Sequence, residues 1–307
     1  MIIDLSGFMP PQQSPITRDR IEAMTAKSPR RMKLSREWGD PLHPPRSEGR
    51  DWSLVLPFCE TLGGAFEAMC PGDHIGMRTG ANDRCYTFFP KAQNEPSVLD
   101  RVRAWLETVG CYVAIRDCLA LSFALDYERE GGNPAEPQTV VAHFRSLAKP
   151  YERQPTAANV EAADRLVAEC AGFLGRVTCY TPATCVVGMP SSSPDKPFNL
   201  TWHLAAGIAV ARGLQDRSQA VRTVRARSSV RETRLSDKLA VIEGSVAVDR
   251  ERIAGEIVLL VDDLYQSGIS MNYVAMLLLE AGAKKVFGLA CEKTCTNDDN
   301  VSRGHRS

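Results

Sequence analysis

Two adjacent carboxylates followed by a loop with two serines and a glycine are the residues of this sequence best suited to chemistry. Asp262 and Asp263 follow the apolar run 257–261, and the loop occupies 267–270. An apolar run of this kind predicts a strand buried on both faces, and open α/β sheets bind ligands at the carboxyl ends of such strands. The N–H groups at the start of a following helix, with the serine hydroxyls, favour a phosphate.

A ligand that fits both features must carry hydroxyls at one end and a phosphate at the other, because carboxylates repel a phosphate placed directly on them. A ribose 5-phosphate has this pattern, since its 2′- and 3′-hydroxyls can donate to the acids while its 5-phosphate lies on the loop. The competing interpretation is a helix cap next to an ordinary Ser-Gly turn. A cap needs only one acid, so the pattern favours the ligand site.

The elements around this segment predict an α/β fold with a mostly parallel sheet, because strands alternate with helices from residue 138 onward. The predicted strands are 185–189, 257–261 and 285–291, and the predicted helices are 159–174, 201–212 and 271–280.

The N-terminal half predicts a smaller α+β unit. A helix over 97–110 precedes two strands, 112–115 and 119–125, an order shared by winged helices and by many other small units. The turn-rich stretch 128–137 predicts a boundary. We therefore expect three regions: a basic, Pro-rich arm at 1–50, an α+β accessory domain at 51–137, and the α/β domain at 138–300. The arm is interpreted as solvated rather than as a nucleic-acid contact.

Composition narrows the classes of protein. The 37 Lys and Arg balance the 37 Asp and Glu among 307 residues, which argues against a chain bound wholesale to nucleic acid or acidic membrane. No apolar stretch reaches membrane-spanning length, and the first residues do not form a secretory signal, so a cytoplasmic protein is expected. None of the ten cysteines forms a CxxC pair, and we expect reduced, buried thiols.

The segment 257–271 resembles the phosphoribosyl pyrophosphate (PRPP) motif of type I phosphoribosyltransferases: here it has an apolar strand, two acids, three intervening residues, a hydroxyl, Gly, any residue and a hydroxyl. The resemblance implies that Asp262 and Asp263 are the catalytic acids that hold the ribose. It also implies a 5-phosphate loop made of Tyr265, Gln266, Ser267, Gly268, Ile269 and Ser270.

Over residues 140–295 the chain resembles the ComF-type, competence-associated phosphoribosyltransferases, because Pro190 is followed by Phe198-Asn199 and a helix. This implies a pyrophosphate loop comprising Pro190, Ser191, Ser192 and Lys196. The chain departs from the ComF pattern, with Pro197 and Leu200 in place of Gly and Gln, and it has no zinc-finger-like start. The basic stretch 222–238 corresponds to the mobile flap of the superfamily, with Arg231, Arg234 and Lys238 as candidates, although a solvated loop would have the same composition.

The resemblance implies transfer of a phosphoribosyl group to a nitrogen base with release of pyrophosphate, assisted by Mg²⁺ carried on the ligand and contacted by Asp262 and Asp263. Two alternatives stay open. One is a non-catalytic sensor of PRPP or a nucleotide. The other is an effector in DNA uptake or antiviral, anti-phage defence, with a protein or nucleic-acid partner at the N-terminal region. The motifs do not specify the acceptor base or the oligomeric state.

Overall fold

The computed structural model describes residues 13–47, 50–72, 74–93, 95–149, 155–193, 198–226 and 233–295. Its helices are α1 (Arg18–Thr25), α2 (Leu34–Glu37), α3 (Leu62–Met69), α4 (Ser97–Gly110), α5 (Val140–Ala148), α6 (Ala157–Arg176), α7 (Leu200–Arg212), α8 (Leu235–Ile242), α9 (Arg250–Ile253) and α10 (Ile269–Glu280). Its strands are β1 (Arg31–Met32), β2 (Leu42–His43), β3 (Trp52–Leu56), β4 (Arg78–Thr79), β5 (Cys85–Phe89), β6 (Val113–Ile115), β7 (Leu121–Tyr127), β8 (Cys185–Gly188), β9 (Gln215–Asp216), β10 (Val221–Thr223), β11 (Val246–Val248), β12 (Ile257–Tyr265) and β13 (Lys285–Lys293).

A seven-stranded sheet organises the described residues, in the order β1-β6-β7-β13-β12-β8-β9. The five strands from β7 to β9 run parallel, and β1 and β6 complete one edge in antiparallel pairing. Parallel strands need crossovers, which α5 and α6, α7 and α10 provide. The predicted α/β class with a mostly parallel sheet is confirmed.

Apolar side chains cover both faces of this sheet. Leu259 and Val261 of β12 join the core formed with α6 and α7, whereas Val258 and Leu260 join the core formed with α8 and α10. The alternation follows from the two-residue side-chain period of a strand, and it explains why this strand is apolar at every position.

The smaller α+β unit is a four-stranded antiparallel sheet in the order β2-β3-β5-β4, accompanied by α3 and α4. Helix α4 spans the residues predicted for it. The predicted boundary at 137 needs correction, however, because β6 and β7 belong to the main sheet, where β7 pairs in parallel with β13. That pairing buries the hairpin in the main sheet, so the suggested winged helix is wrong.

The N-terminal segment 13–47 is packed, not a solvated arm. Ile16, Ile21, Met32 and Leu34 are buried, and β1 forms the edge strand of the main sheet. The basic composition concealed these four apolar anchors, which lie too far apart to give a clear period.

Two cysteines correct the expectation of reduced thiols, because Cys59 and Cys85 form a disulfide that joins the start of α3 to β5. The other eight cysteines are free thiols, and of these Cys111 alone is exposed. Within the described ranges, no helix is both long and apolar enough to cross a membrane.

Candidate functional site

The carboxyl ends of β7, β13, β12 and β8 meet at one edge of the sheet because these strands are parallel. Val261 pairs with Gly188, and Met189 donates its N–H to the Val261 carbonyl at 2.8 Å. The acid pair therefore lies next to the loop that begins at Pro190, as both sequence resemblances require.

Asp263 is held by two cations from the helix that follows β7. Its Oδ2 accepts from Arg145 Nε at 2.9 Å and from Lys149 Nζ at 2.7 Å. Burial acts to raise the pKa of Asp263, but the two cations outweigh it and lower the pKa to about 2. This carboxylate is consequently ionised at neutral pH, and both cations use the same oxygen.

Asp262 has the opposite environment. Burial and the neighbouring charge of Asp263 raise the pKa of Asp262 to about 7, although Lys149 and Arg145 oppose the increase. Its Oδ1 accepts from the Asp263 backbone N–H at 2.8 Å. Two adjacent acids of one motif thus differ in charge near neutral pH, and Asp262 is the one able to exchange a proton there.

Arg145 also links the acid pair to β13. Its Nη1 donates to Glu292 Oε1 at 3.2 Å, and Glu292 is 1% exposed. Burial raises the pKa of Glu292, and Arg145 counteracts the rise. Three acidic and two basic side chains, from β12, β13 and α5, therefore form one electrostatic cluster at the sheet edge.

The loop after β12 has the shape of an anion site. Gly268 adopts a left-handed backbone with φ of 77°, and α10 begins at the next residue. The backbone N–H groups of Ser267, Gly268 and Ile269 have no acceptor within the described part of the chain. Such N–H groups at a helix start favour a phosphate. Of the predicted loop residues, Gln266 and Ser270 are partly exposed and the others are buried.

Tyr265 supports this loop from the buried side. Its hydroxyl donates to Asp117 Oδ2 at 3.0 Å, and a Cβ added at Gly268 would lie 1.9 Å from that hydroxyl oxygen. Glycine is therefore required at 268 for both its φ and its contact with Tyr265. Burial raises the pKa of Asp117 to about 6.

The predicted pyrophosphate loop is described only in part, because Lys196 and Pro197 lie outside the described residues. Pro190 is buried, and Ser191 and Ser192 are partly exposed. Thr223 donates its hydroxyl proton to the Ser191 carbonyl at 2.5 Å, which attaches this loop to β10. A Cβ at Gly188 would lie 2.4 Å from the Thr201 carbonyl oxygen, so the loop starts against the first turn of α7.

The basic stretch 222–238 is anchored at both ends. It begins in β10, which pairs antiparallel with β11, and it ends in α8. Arg234 is exposed at the N-cap of α8. Lys238 is 1% exposed within that helix, so it suits a mobile flap less well than Arg234 does. Arg231 lies outside the described residues.

One comparison with known protein families matches the C-terminal part of the chain. A family model described as the phosphoribosyl transferase domain matches residues 207–295, a range that contains the acid pair, the 267–270 loop and the basic stretch. It begins after the predicted pyrophosphate loop. A search of curated proteins gives no match.

Two solved structures show distant similarity to the chain. One is described as the allosteric regulatory enzyme of purine biosynthesis, with 14% identity, a TM-score of 0.34 and coverage of 78% of this chain and 45% of that chain. The other is glutamine PRPP amidotransferase from B. subtilis complexed with ADP and GMP, with 13% identity, a TM-score of 0.34 and coverage of 78% and 46%. The chain spans less than half the length of either.

Sequence reasoning missed the basic partners of the site. Arg145 lies on α5 and Lys149 is the C-cap residue of that helix, and two basic residues four apart were the available signal. Arg30 also reaches the loop, where its Nη2 donates to the Ser267 carbonyl at 3.0 Å. Nothing in the local sequence indicates that contact.

Proposed function

We propose that this chain binds PRPP or a related ribose 5-phosphate ligand at the edge formed by β8, β12 and β13, and transfers the phosphoribosyl group to a nitrogen base. The observation that carries the proposal is the juxtaposition of the acid pair with a left-handed glycine at the start of α10. The family match over 207–295 supports the same assignment. Like the ComF-type resemblance, it leaves the acceptor base open.

The two acids have separate tasks in this proposal. Asp263, already paired with Arg145 and Lys149, fixes the geometry of the edge. Asp262, with its pKa of about 7, accepts hydrogen bonds from the ribose hydroxyls. The N–H groups of Gly268 and Ile269 hold the 5-phosphate.

In the reaction, the nitrogen of the base attacks C1′ and forms the C–N bond as the C1′–O bond to pyrophosphate breaks. The electron pair of that bond leaves with pyrophosphate, and the base loses its proton to solvent or to a nearby carboxylate. Asp262 holds the ribose at one end of the ligand, and the loop after β12 holds the 5-phosphate at the other end. This positioning lowers the barrier of the reaction.

Magnesium fits this site as an ion carried by the ligand. Among the described residues, no group of three His, Cys, Asp or Glu side chains could hold a metal. The carboxylate oxygens of Asp262 suit Mg²⁺, which usually binds through one or two carboxylates plus phosphates. When bound, the ion would neutralise charge on the leaving pyrophosphate.

Calorimetric titration with PRPP and Mg²⁺ tests the binding step. We expect binding by the wild type, a large loss in Asp262→Asn, and no change in Asp100→Asn, a control aspartate that is exposed on α4. Wild type that does not bind would contradict the proposal.

A second candidate, a non-catalytic sensor, is favoured by the sequence of the pyrophosphate loop, in which Lys196 is the single cation between Pro190 and Asn199. Pyrophosphate release, measured with a panel of nitrogen bases on the same samples, separates the two. Release with any base supports transfer, whereas binding without release supports the sensor and contradicts transfer.

A further inference from the structure

The phosphate loop is supported by a residue far from it in the sequence. Arg30 is 4% exposed and lies between α1 and the 116–118 turn of the hairpin formed by β6 and β7. Its backbone is fixed there, because the Arg116 N–H donates to the Arg30 carbonyl at 2.8 Å. Its side chain donates from Nη2 to the Ser267 carbonyl at 3.0 Å.

This contact determines where the next N–H points. The Ser267–Gly268 peptide is trans, so its C=O and N–H point in opposite directions. With the carbonyl turned towards the buried guanidinium, the Gly268 N–H points away from Arg30.

Asn272 does the same for the following peptide. The Gly268 carbonyl accepts from the Asn272 backbone N–H at 2.8 Å and from the Asn272 Nδ2 at 2.7 Å, so the Ile269 N–H points the opposite way. The orientation of the Asn272 amide is itself fixed, because its Oδ1 accepts from the Cys118 N–H at 2.8 Å. The Gly268 N–H is thus oriented through the side chain of Arg30, and the Ile269 N–H through the backbone and the side chain of Asn272.

We propose that Arg30, which belongs to the N-terminal segment and not to the 257–271 motif, is a positioning residue for the phosphate of the ligand. It acts by holding the Ser267 carbonyl, so that the Gly268 N–H is oriented before the ligand arrives. Its charge is a lesser contribution, since Asp117 lines the same pocket. This inference rests on the proposed function, because it assigns the phosphate to the same loop.

The test compares two probes that use different parts of the site. Ribose 5-phosphate needs the 267–270 loop, whereas magnesium pyrophosphate needs the loop that begins at Pro190. We expect Arg30→Met to weaken ribose 5-phosphate binding about tenfold, the effect of one lost charge-assisted hydrogen bond. Magnesium pyrophosphate binding should change less than about twofold, and guanidinium ion in the buffer should restore part of the loss.

Two further variants make the result specific. Arg18→Met removes an arginine from the same segment, but Arg18 is half-exposed and pairs with Glu22 and Glu243, so ribose 5-phosphate binding should not change. Asn272→Asp keeps the shape of Asn272 while replacing the donor to the Gly268 carbonyl by an acceptor. It should weaken ribose 5-phosphate binding selectively but less than Arg30→Met, because the backbone N–H of residue 272 still holds the Gly268 carbonyl.

If Arg30→Met does not fold, Arg30→Lys with ¹⁵N-labelled protein gives the answer. The Gly268 amide resonance should move on addition of ribose 5-phosphate in the wild type and move less in the variant. Equal loss of both probes in Arg30→Met, or unchanged ribose 5-phosphate binding, overturns the role of Arg30. Failure of the wild type to bind either probe instead overturns the proposed function itself.

Discussion

At the scale of single residues, the two aspartates of the motif are chemically unequal although they are neighbours in sequence. Asp263 shares one oxygen between two cations, whereas Asp262 has burial and a like charge beside it. Two acids that differ only in the charges around them can divide the work of one site. A substitution of Asp263 should therefore act mainly on stability, and a substitution of Asp262 mainly on ligand binding.

We predict that Asp263→Asn lowers the free energy of unfolding by about 2 kcal/mol, because it removes the carboxylate that Arg145 and Lys149 share while Arg145 keeps its contact with Glu292. Asp262→Asn, in contrast, should leave the protein at least as stable as the wild type at neutral pH. Urea unfolding of both variants measures the difference. Equal stability of the two variants would mean that the cations do not depend on Asp263.

The pH dependence of the Asp262→Asn variant gives a second prediction. The folded pKa of Asp262, about 7, lies above the unfolded value of a carboxyl group, so the native state retains a proton that the unfolded state loses. Wild-type stability should therefore fall as pH rises from about 4 to about 7 and level off above that range. The stability advantage of Asp262→Asn should grow over the same interval, as followed by urea unfolding at successive pH values. A constant difference would place the Asp262 pKa near its usual value.

Gly268 and Gly213 offer a matched pair of substitutions, since both have positive φ but different surroundings. A Cβ at Gly213 meets nothing within 4 Å, whereas one at Gly268 meets the Tyr265 hydroxyl. Gly213→Ala should cost about 1 kcal/mol from backbone strain alone, and Gly268→Ala about 2 kcal/mol more from the clash. Thermal unfolding of both variants provides the comparison, and equal costs would show that the Tyr265 contact yields easily.

At the scale of elements, local patterns were sufficient where an element is stabilised by its own sequence or by burial on both faces. Helix α4 was predicted to the residue, and β12 and β13 were located, although both extend past their predicted ends. Local patterns did not predict contacts between residues that lie far apart in the sequence. The contact between Arg145 and Asp263 joins positions 118 residues apart, and that between Arg30 and Ser267 joins positions 237 apart. No local period records such contacts, so the acids of the site could be predicted and their cations could not.

The disulfide between α3 and β5 is the element-scale feature that sequence reasoning rejected. It closes a loop with a sequence separation of 26, which corresponds to about 3 kcal/mol of stabilisation when the bond is formed. We expect Cys59 and Cys85 to resist alkylation in the folded, non-reduced protein while Cys111, which is exposed, reacts. Reductant should lower the urea midpoint of the wild type and of Cys111→Ala equally. Alkylation of Cys59 without reductant would show that the two thiols are only in contact.

At the scale of the whole molecule, the N-terminal segment connects the edge of the sheet to the site. Its cations are used internally: Lys33 pairs with Asp126 at 2.8 Å, Arg31 with Glu37 at 2.6 Å and Lys27 with Asp83 at 2.6 Å. Deleting residues 1–50 would remove β1, β2 and five buried apolar side chains, Leu42 among them, so loss of any activity in that truncation would report unfolding. A nucleic-acid role therefore has to be tested on the intact chain.

We predict that the intact protein does not bind a duplex of about 20 base pairs tightly, because a zero net charge and paired arginines leave few cations to displace counterions. At about 0.15 M salt, fluorescence anisotropy should give a Kd weaker than about 10 µM, with a salt slope below about 2 in magnitude. Tighter binding with a steep slope would restore the nucleic-acid alternative. In that case, the double variant Arg222→Glu/Arg225→Glu decides whether the basic stretch contacts the duplex. Both positions are exposed, one on β10 and the other just after it. Loss of binding there would place nucleic acid beside the proposed pyrophosphate loop, where it would compete with PRPP for the same edge of the sheet.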